Sequence, residues 1–397
     1  MTTAERTQRD NERRDKRMER RRVNWLVLAL VMAFVIAACG DSESTDTTAG
    51  SETTTTTAAP SGDDEETTTT AATPEELDLV KGTYSPIAAY APLFVAMEEG
   101  FFEKWGIQNE MDQVGINEAL PLVANGDYDW GRSENSPGWF NALNSGLDLY
   151  GVVDRLTYIC SSDNSLSISN VTYAEGVDTF EELAGRTIGI IAPGTQAEYW
   201  LAQLLEQHGM TADDVEVVYL GYADQLAALG DGTIDAAFML EPLLSTGVAN
   251  GAIVPVLPML EVTPGANIGT MFFGGHFIER DGGDVATRWL AAWLEAARFA
   301  QDPANRDATL AAVQKWTEMD MASIETIYDG RATWPQVNPN GHVDIDTVLS
   351  TQGQFMLDGG FIDELPPAER IFRGDIVEAA LELVGEVDAE AVQLCAG

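Results

Sequence analysis

The sequence predicts an α/β protein whose folded part consists of two similarly built lobes, each a mainly parallel sheet flanked by helices. Three observations lead there. Of the 397 residues, 45 % are hydrophobic and 36 are Gly, enough apolar material for one large or two medium globular units. From about residue 75 onward, short apolar runs alternate with helical patterns punctuated by Gly and Pro, as expected of parallel strands covered on both faces. Finally, two passages superpose at an offset of 106: Ala124-Asn125-Gly126-Asp127-Tyr128-Asp129-Trp130 lies over Gly230-Asp231-Gly232-Thr233-Ile234-Asp235-Ala236. Each is followed by a Pro that opens a helix, Pro137 and Pro242.

The net charge of −42, from 22 Lys and Arg against 64 Asp and Glu, excludes most nucleic-acid binders, which need clustered cations to neutralise phosphates. That charge is unevenly spread. Residues 1–38 carry nine basic and five acidic residues, and Arg22 is followed closely by a charge-free apolar run from Trp25 to Ala38. The run is short for a spanning helix but suits a signal-peptide core, with the basic residues keeping its N-terminus in the cytoplasm. It ends in Ile36-Ala37-Ala38-Cys39-Gly40, which resembles a bacterial lipoprotein signal with Cys39 as the lipidated first mature residue. Residues 39–74 hold thirteen Thr and eight acidic residues with no Lys, Arg, aromatic or large aliphatic side chain, and are expected to be a disordered tether. The folded part from 75 then carries −38, a matter of solubility and of repulsion from anionic membranes that does not make the ligand a cation.

Within the folded part the elements follow in order. Leu77 to Lys81 reads as a strand, Gly82 to Tyr90 as a turn, and a helix follows with Pro92 in its first turn and Gly100 as its stop. A strand near Glu110 to Val114 leads into a short helix ending at Ala124, and Tyr128 to Gly131 is a strand. Ser136-Pro137 gives an N-cap and first helical residue, with Gly146 after that helix. A second series begins with the capping-box pattern Thr179-Phe180-Glu181-Glu182, then strand Arg186 to Ile191, loop Ala192 to Thr195 and helix Gln196 to His208. Strand Val215 to Leu220, helix Asp224 to Leu229 and strand Ile234 to Met239 lead to a further helix opened by Glu241-Pro242. Later, Asp284 to Ala300 is a helix with Leu290, Trp293, Leu294 and Ala297 inward.

These pieces resemble a family. Tyr90-Ala91-Pro92-Leu93-Phe94-Val95-Ala96-Met97-Glu98-Glu99-Gly100-Phe101-Phe102, the Asn125-Gly126-Asp127-Tyr128-Asp129 step, Phe180-Glu181-Glu182-Leu183-Ala184-Gly185-Arg186-Thr187-Ile188-Gly189, Pro193-Gly194-Thr195 and Gly232-Thr233-Ile234-Asp235-Ala236-Ala237 with Glu241-Pro242 occur in the order found in substrate-binding proteins of nitrate, sulfonate, taurine and thiamine-precursor ABC transporters. The late Gln354-Phe355-Met356-Leu357-Asp358-Gly359-Gly360-Phe361-Ile362 is similar too, so the resemblance spans about 77 to 385. It implies a type II periplasmic-binding-protein fold with a ligand cleft between lobes and two crossover strands, placed near Ile168 to Val171 and Ile268 to Phe273. The expected organisation is signal peptide 1–38, tether 39–74, lobe 1 from 75–169 plus 269–390, lobe 2 from 170–268 and a tail 391–397.

Open α/β sheets bind ligands beyond the carboxyl ends of their strands, where helix starts present free N–H groups. Four segments qualify: Tyr84 to Tyr90, Ser133 to Ser136, Pro193 to Gln196 and Glu241-Pro242. The candidate ligand-binding residues are therefore Tyr84 and Tyr90 for stacking, Ser85, Ser133, Asn135, Thr195 and Gln196 for hydrogen bonds, and Glu241 for charge. An anion requires Glu241 turned away or protonated, whereas an amine can pair with it. No catalytic residue, metal ligand or cofactor is assigned. The expected function is the extracytoplasmic, lipid-anchored solute-binding component of an ABC importer, delivering a small organic molecule or anion to a membrane permease. Its expected partners are that ligand, the permease and, through Cys39, the lipid bilayer, but no nucleic acid; the chain is expected to act as a monomer. A tethered ligand sensor uses the same closure and remains an alternative, as does a cysteine-dependent hydrolase of the same fold, although the loop Gly82-Thr83-Tyr84-Ser85 lacks a Cys. In an oxidising compartment Cys160 and Cys395 either bond to each other or remain two thiols.

Overall fold

A computed structural model describes residues 77–159, 164–330 and 337–388. The expected export segment and tether, Cys39, Cys160 and Cys395 lie outside the described residues. Among the described residues, ten strands form two five-stranded sheets. The first has the order β2-β1-β3-β10-β4, from β1 (Asp78–Tyr84), β2 (Ile107–Gln113), β3 (Trp130–Arg132), β4 (Leu149–Thr157) and β10 (Asn267–Gly274). The second has the order β7-β6-β8-β5-β9, from β5 (Asn164–Ser169), β6 (Thr187–Ile190), β7 (Glu216–Tyr219), β8 (Ala236–Leu240) and β9 (Ile253–Pro258). In each sheet four strands point the same way and one, β10 or β5, runs against its two neighbours. The sheets are thus mainly parallel, each with one returning strand.

The internal repeat is structural. Tyr84 pairs with Gln113 in the first sheet and Ile190 with Tyr219 in the second, each residue 106 from its counterpart. The repeated Asp lies just before a strand and completes a neighbour's backbone pairing. Asp129 accepts from the Lys81 N–H at 2.8 Å while its own N–H donates to the Lys81 carbonyl at 2.7 Å. Asp235 does the same with Thr187, at 2.8 and 2.9 Å. A short polar side chain that mimics the ladder explains why Asp recurs here.

The chain passes from the first sheet to the second between Thr157 and Asn164, and returns between Pro258 and Asn267. The first passage corrects the expected one near Ile168 to Val171. β5, expected in lobe 1, pairs with β8 and β9 because its inward Leu166 and Ile168 pack into the second core. The expected return within Ile268 to Phe273 is instead a strand of the first sheet.

Helices cover both faces. Asp284–Gln301 buries Leu290, Trp293, Leu294 and Ala297 together with Trp289 in the first core. Gln196–Gln207 buries Trp200, Leu201, Leu204 and Leu205 in the second. At roughly 1.5 to 3 kcal/mol per buried large side chain, these faces hold the helices on their sheets. The two layers meet at Gly194, at φ +75°, where a Cβ would lie 2.6 Å from Pro137 and from Phe361. Both the left-handed backbone and the close approach call for glycine there. Among the described residues no helix is long and apolar enough to cross a membrane.

Candidate functional site

Between the two sheets lies a cavity of about 260 Å³ at the carboxyl ends of the strands, reached by side chains of both halves. From the first half come Ile87 and Ala89 of the turn after β1, Asn117, the segment Glu134 to Ser136, and Arg155 of β4. From the second come Ile191, Ala192, Thr195, Gln196 and Trp200, with Leu240 at the end of β8. Tyr158 lines the floor and stacks on Trp200 at 6.0 Å between ring centres.

Three of the eight sequence-predicted residues, Asn135, Thr195 and Gln196, are brought together in this cleft. Asn135 is held by donating to the Asn267 carbonyl at 2.8 Å. The Thr195 hydroxyl donates to the Ala192 carbonyl at 2.7 Å, which shapes the loop before the helix. Gln196 is the first residue of that helix, and both polar atoms of its side-chain amide are buried without a hydrogen-bond partner among the described residues. Buried amides are nearly always paired, so an unpaired one on a cleft wall marks a position for a polar ligand.

The other five are used differently. Tyr84 does not reach the cleft: its ring packs edge-on against Phe94 and Trp316 on the other side of the first layer. The Ser85 hydroxyl accepts from the Arg132 guanidinium. Tyr90 is buried with its ring between Arg132 and Arg155, 5.5 and 5.3 Å from its centre, and its hydroxyl accepts from Arg155 at 3.3 Å. Ser133 is buried against Thr270, bonding both its carbonyl and its hydroxyl at 3.1 Å. Glu241 is 5 % exposed and is turned to its own helix, accepting from the Ser245 hydroxyl at 2.8 Å and its N–H at 3.1 Å. A carboxylate four residues before a backbone N–H at a helix start is a capping arrangement, and Glu241 does not line the cavity.

Sequence reasoning missed the arginines. Arg155 is 2 % exposed, lines the cavity, donates to the Ser133 carbonyl at 3.0 Å and stands 3.9 Å from the Glu134 carboxylate. Arg132 is fully buried behind it, donating to Thr83 at 3.3 Å and to the Val114 carbonyl at 2.6 Å, and forms no ion pair with a carboxylate among the described residues. Burial pulls the Arg132 pKa down, with Arg155 acting the same way and Tyr90 opposing. Two guanidiniums in a low-dielectric layer place positive charge beside the cleft, with Asp154 and Glu134 as neighbouring carboxylates. The available signal was Asp154-Arg155 inside the apolar stretch Leu149 to Leu156.

Beneath Arg155, Asp154 is fully buried and accepts from Leu156 N–H, the Thr157 hydroxyl, Asn267 and the Asn338 N–H at 2.5 to 3.0 Å. Burial pushes its carboxyl up to about 6 against these donors and Arg155.

Two α/β layers with the strand orders 2-1-3-n-4, joined by two crossings around a cleft, define the type II periplasmic binding proteins. Residues 88–244 match the family model described as NMT1/THI5 like. Among curated proteins it is similar to the bicarbonate transport ATP-binding protein CmpC of Synechocystis, 29 % identical over 248 residues, covering 58 % of this chain and 36 % of that protein. The chain thus spans little more than a third of the length of the CmpC relatives it matches. The nitrate-binding protein NrtA of Synechocystis superposes with a TM-score of 0.64 at 14 % identity, covering 80 % of this chain and 91 % of that one. The aliphatic sulphonate-binding protein SsuA of Escherichia coli superposes with 0.61 at 18 %, covering 74 % and 92 %. The fold is also that of an enzyme, the desulfurization enzyme DszB, at 0.58 and 16 %, covering 77 % and 99 %.

Proposed function

We propose that the chain is the solute-binding component of an ABC importer. It works outside the cytoplasm, tethered through Cys39, and captures a small anion or anionic organic molecule of the sulfonate, nitrate, taurine or bicarbonate kind for a membrane permease. The observation that carries the reading is the cleft wall itself: buried Arg155, backed by Arg132, faces a Gln196 amide on the opposite layer with its hydrogen-bonding capacity unspent. An anion between them takes charge-assisted bonds from one half and amide bonds from the other, and so favours the closed arrangement. Glu241, turned to Ser245, is consistent with an anion. Half-exposed Glu134, also on the wall, suits a ligand carrying an amine as well as an acid group, as taurine does. Binding without catalysis accords with the end of β1 and the residue after it, Thr83-Tyr84-Ser85, which carry no cysteine nucleophile.

The test is a thermal-shift and calorimetry panel of nitrate, bicarbonate, methanesulfonate, taurine and an aminopyrimidine. At least one anion is expected to bind, and Arg155→Met to weaken it about 30-fold or more, as for loss of a desolvated charge pair. Binding confined to the aminopyrimidine, or an affinity indifferent to Arg155→Met, overturns the anion reading.

A further inference from the structure

A second cavity, of about 380 Å³, lies on the opposite side of the crossing strands and shares no wall residue with the cleft. The same elements part the two. On β4 and the segment after it Arg155 and Tyr158 face the cleft while Thr157 faces the rear; on β10 Ile268 faces the cleft and Asn267 the rear. On the helix Gln196–Gln207, Gln196 and Trp200 line the front, Tyr199 and Gln203 the back. The far wall is the segment from Asn338 to Gln352.

One group in this cavity is unspent. Gln352 is 4 % exposed; its amide N–H donates to the Asn267 carbonyl at 3.1 Å, but its carbonyl Oε1 is buried and accepts nothing among the described residues. Gln352 sits in a π-helical turn, Leu349–Gly353, an irregularity that costs regular helix bonds and is often found at functional sites. The carboxylates nearby are already served: Asp154 by the Asn338 N–H at 2.5 Å, and Asp344 by the Thr347 N–H and hydroxyl at 3.0 and 2.6 Å. The unmet demand is for a hydrogen-bond donor, and the carboxylates disfavour an anion. Val262, Pro264 and Val348 supply an apolar side to the same space.

We infer that this rear cavity is a second binding site, for a small neutral molecule with an amide-type N–H donor at one end and a short apolar group at the other. The donor bonds Gln352 Oε1 and the apolar end packs on Val262 and Val348.

The probe is propionamide, titrated into the isotope-labelled protein and followed by amide NMR, with methyl propionate as a matched control that has no donor. Propionamide is expected to give saturable shifts confined to residues 262–267 and 342–352, and methyl propionate none. Gln352→Leu should weaken propionamide at least tenfold. Ala266→Leu, which adds bulk at another lining position and leaves the Gln352 side chain in place, should do the same and carries the test if Gln352→Leu fails to fold. Absence of saturable shifts, equal binding of the ester, shifts at Trp200 and Gln196 instead, or binding unchanged in Ala266→Leu overturns the proposal.

Discussion

The two halves share a backbone plan and differ in what they place on it. At the offset of 106, Arg132 in β3 corresponds to Phe238 in β8, and Tyr90 to Gln196. In the first half these positions form a pre-paired cluster, with Tyr90 between two arginines and Ser85 and Ser133 tied to the same groups. In the second they give a plain apolar core residue and an amide with unused hydrogen-bond capacity. Duplicated architecture thus allows a division of labour: one half holds a fixed charge, and the other offers groups that a ligand can complete. Pre-organised charge costs little reorganisation on binding, while the open amide makes the bond depend on a ligand being present.

The comparison is broken most severely in the packing beneath the clusters. Gly82 in β1 faces the Trp130 indole, and a Cβ there would lie 1.8 Å from the ring. Trp130 cannot yield, because its Nε1 donates to Asn109 at 3.0 Å and its ring packs on Trp289. The matched position of the second half is Ile188, fully buried with its side chain in the core. Gly82→Ala should therefore cost about 3 kcal/mol or more in urea unfolding, the upper end for overpacking. A cost under about 1 kcal/mol would show that the first core has slack it is not credited with here.

The next effect is electrostatic and belongs to the first half, where Asp154 lies in β4; β9 of the second half, Ile253–Pro258, has no acidic residue. The folded chain holds the Asp154 proton up to about pH 6, whereas an unfolded Asp releases it near 4. Between those values the folded state binds the extra proton, so stability from this group is complete below about pH 4 and is lost as pH rises through 6. Two units correspond to about 3 kcal/mol. The stability of the wild type relative to Asp154→Asn, measured by urea unfolding from pH 4 to 7.5, should fall by up to that amount. A difference that is flat with pH would mean that the four donors and Arg155 keep Asp154 ionised throughout.

How legible this was depends on what fixes each element. β1, β2, β3, β6, β7 and β8 could be read because each is followed by a helix with Gly or Pro at its ends, and the repeated Asp aligned the halves. β4 went unread: Asp154 and Arg155 interrupt its apolar pattern, and partners distant in sequence, Asn267, Asn338 and Ser133, help to hold them. β9, Ile-Val-Pro-Val-Leu-Pro, carries two prolines that argue against a strand, and it survives at the sheet edge where one flank needs no donors. Missing both misplaced the first crossing. The segments of the site were legible for the same reason as the helices, since strand ends and helix starts fix the backbone. Which side chain turns inward was not: Ile87 and Ala89, rather than Tyr84 and Ser85, line the cleft, and Glu241 caps its own helix.

The smallest effect sharpens the comparison at an Asp that the halves share. Asp129 and Asp235 have equally shielded side chains and make the same bond to a strand N–H. Asp235 adds the Thr172 hydroxyl at 2.9 Å and Arg186 at 3.2 Å, while Asp129 adds His276 at 3.3 Å. Truncating either leaves a strand N–H without this acceptor, at about 1 kcal/mol, and Asp235→Ala additionally strands a buried Thr172 hydroxyl, for about 2 kcal/mol in all. Urea unfolding of Asp129→Ala and Asp235→Ala measures the difference. Equal costs would mean that Arg186 and Thr172 find water or other partners at no loss, and the Asp then serves both halves only as a substitute for a backbone carbonyl.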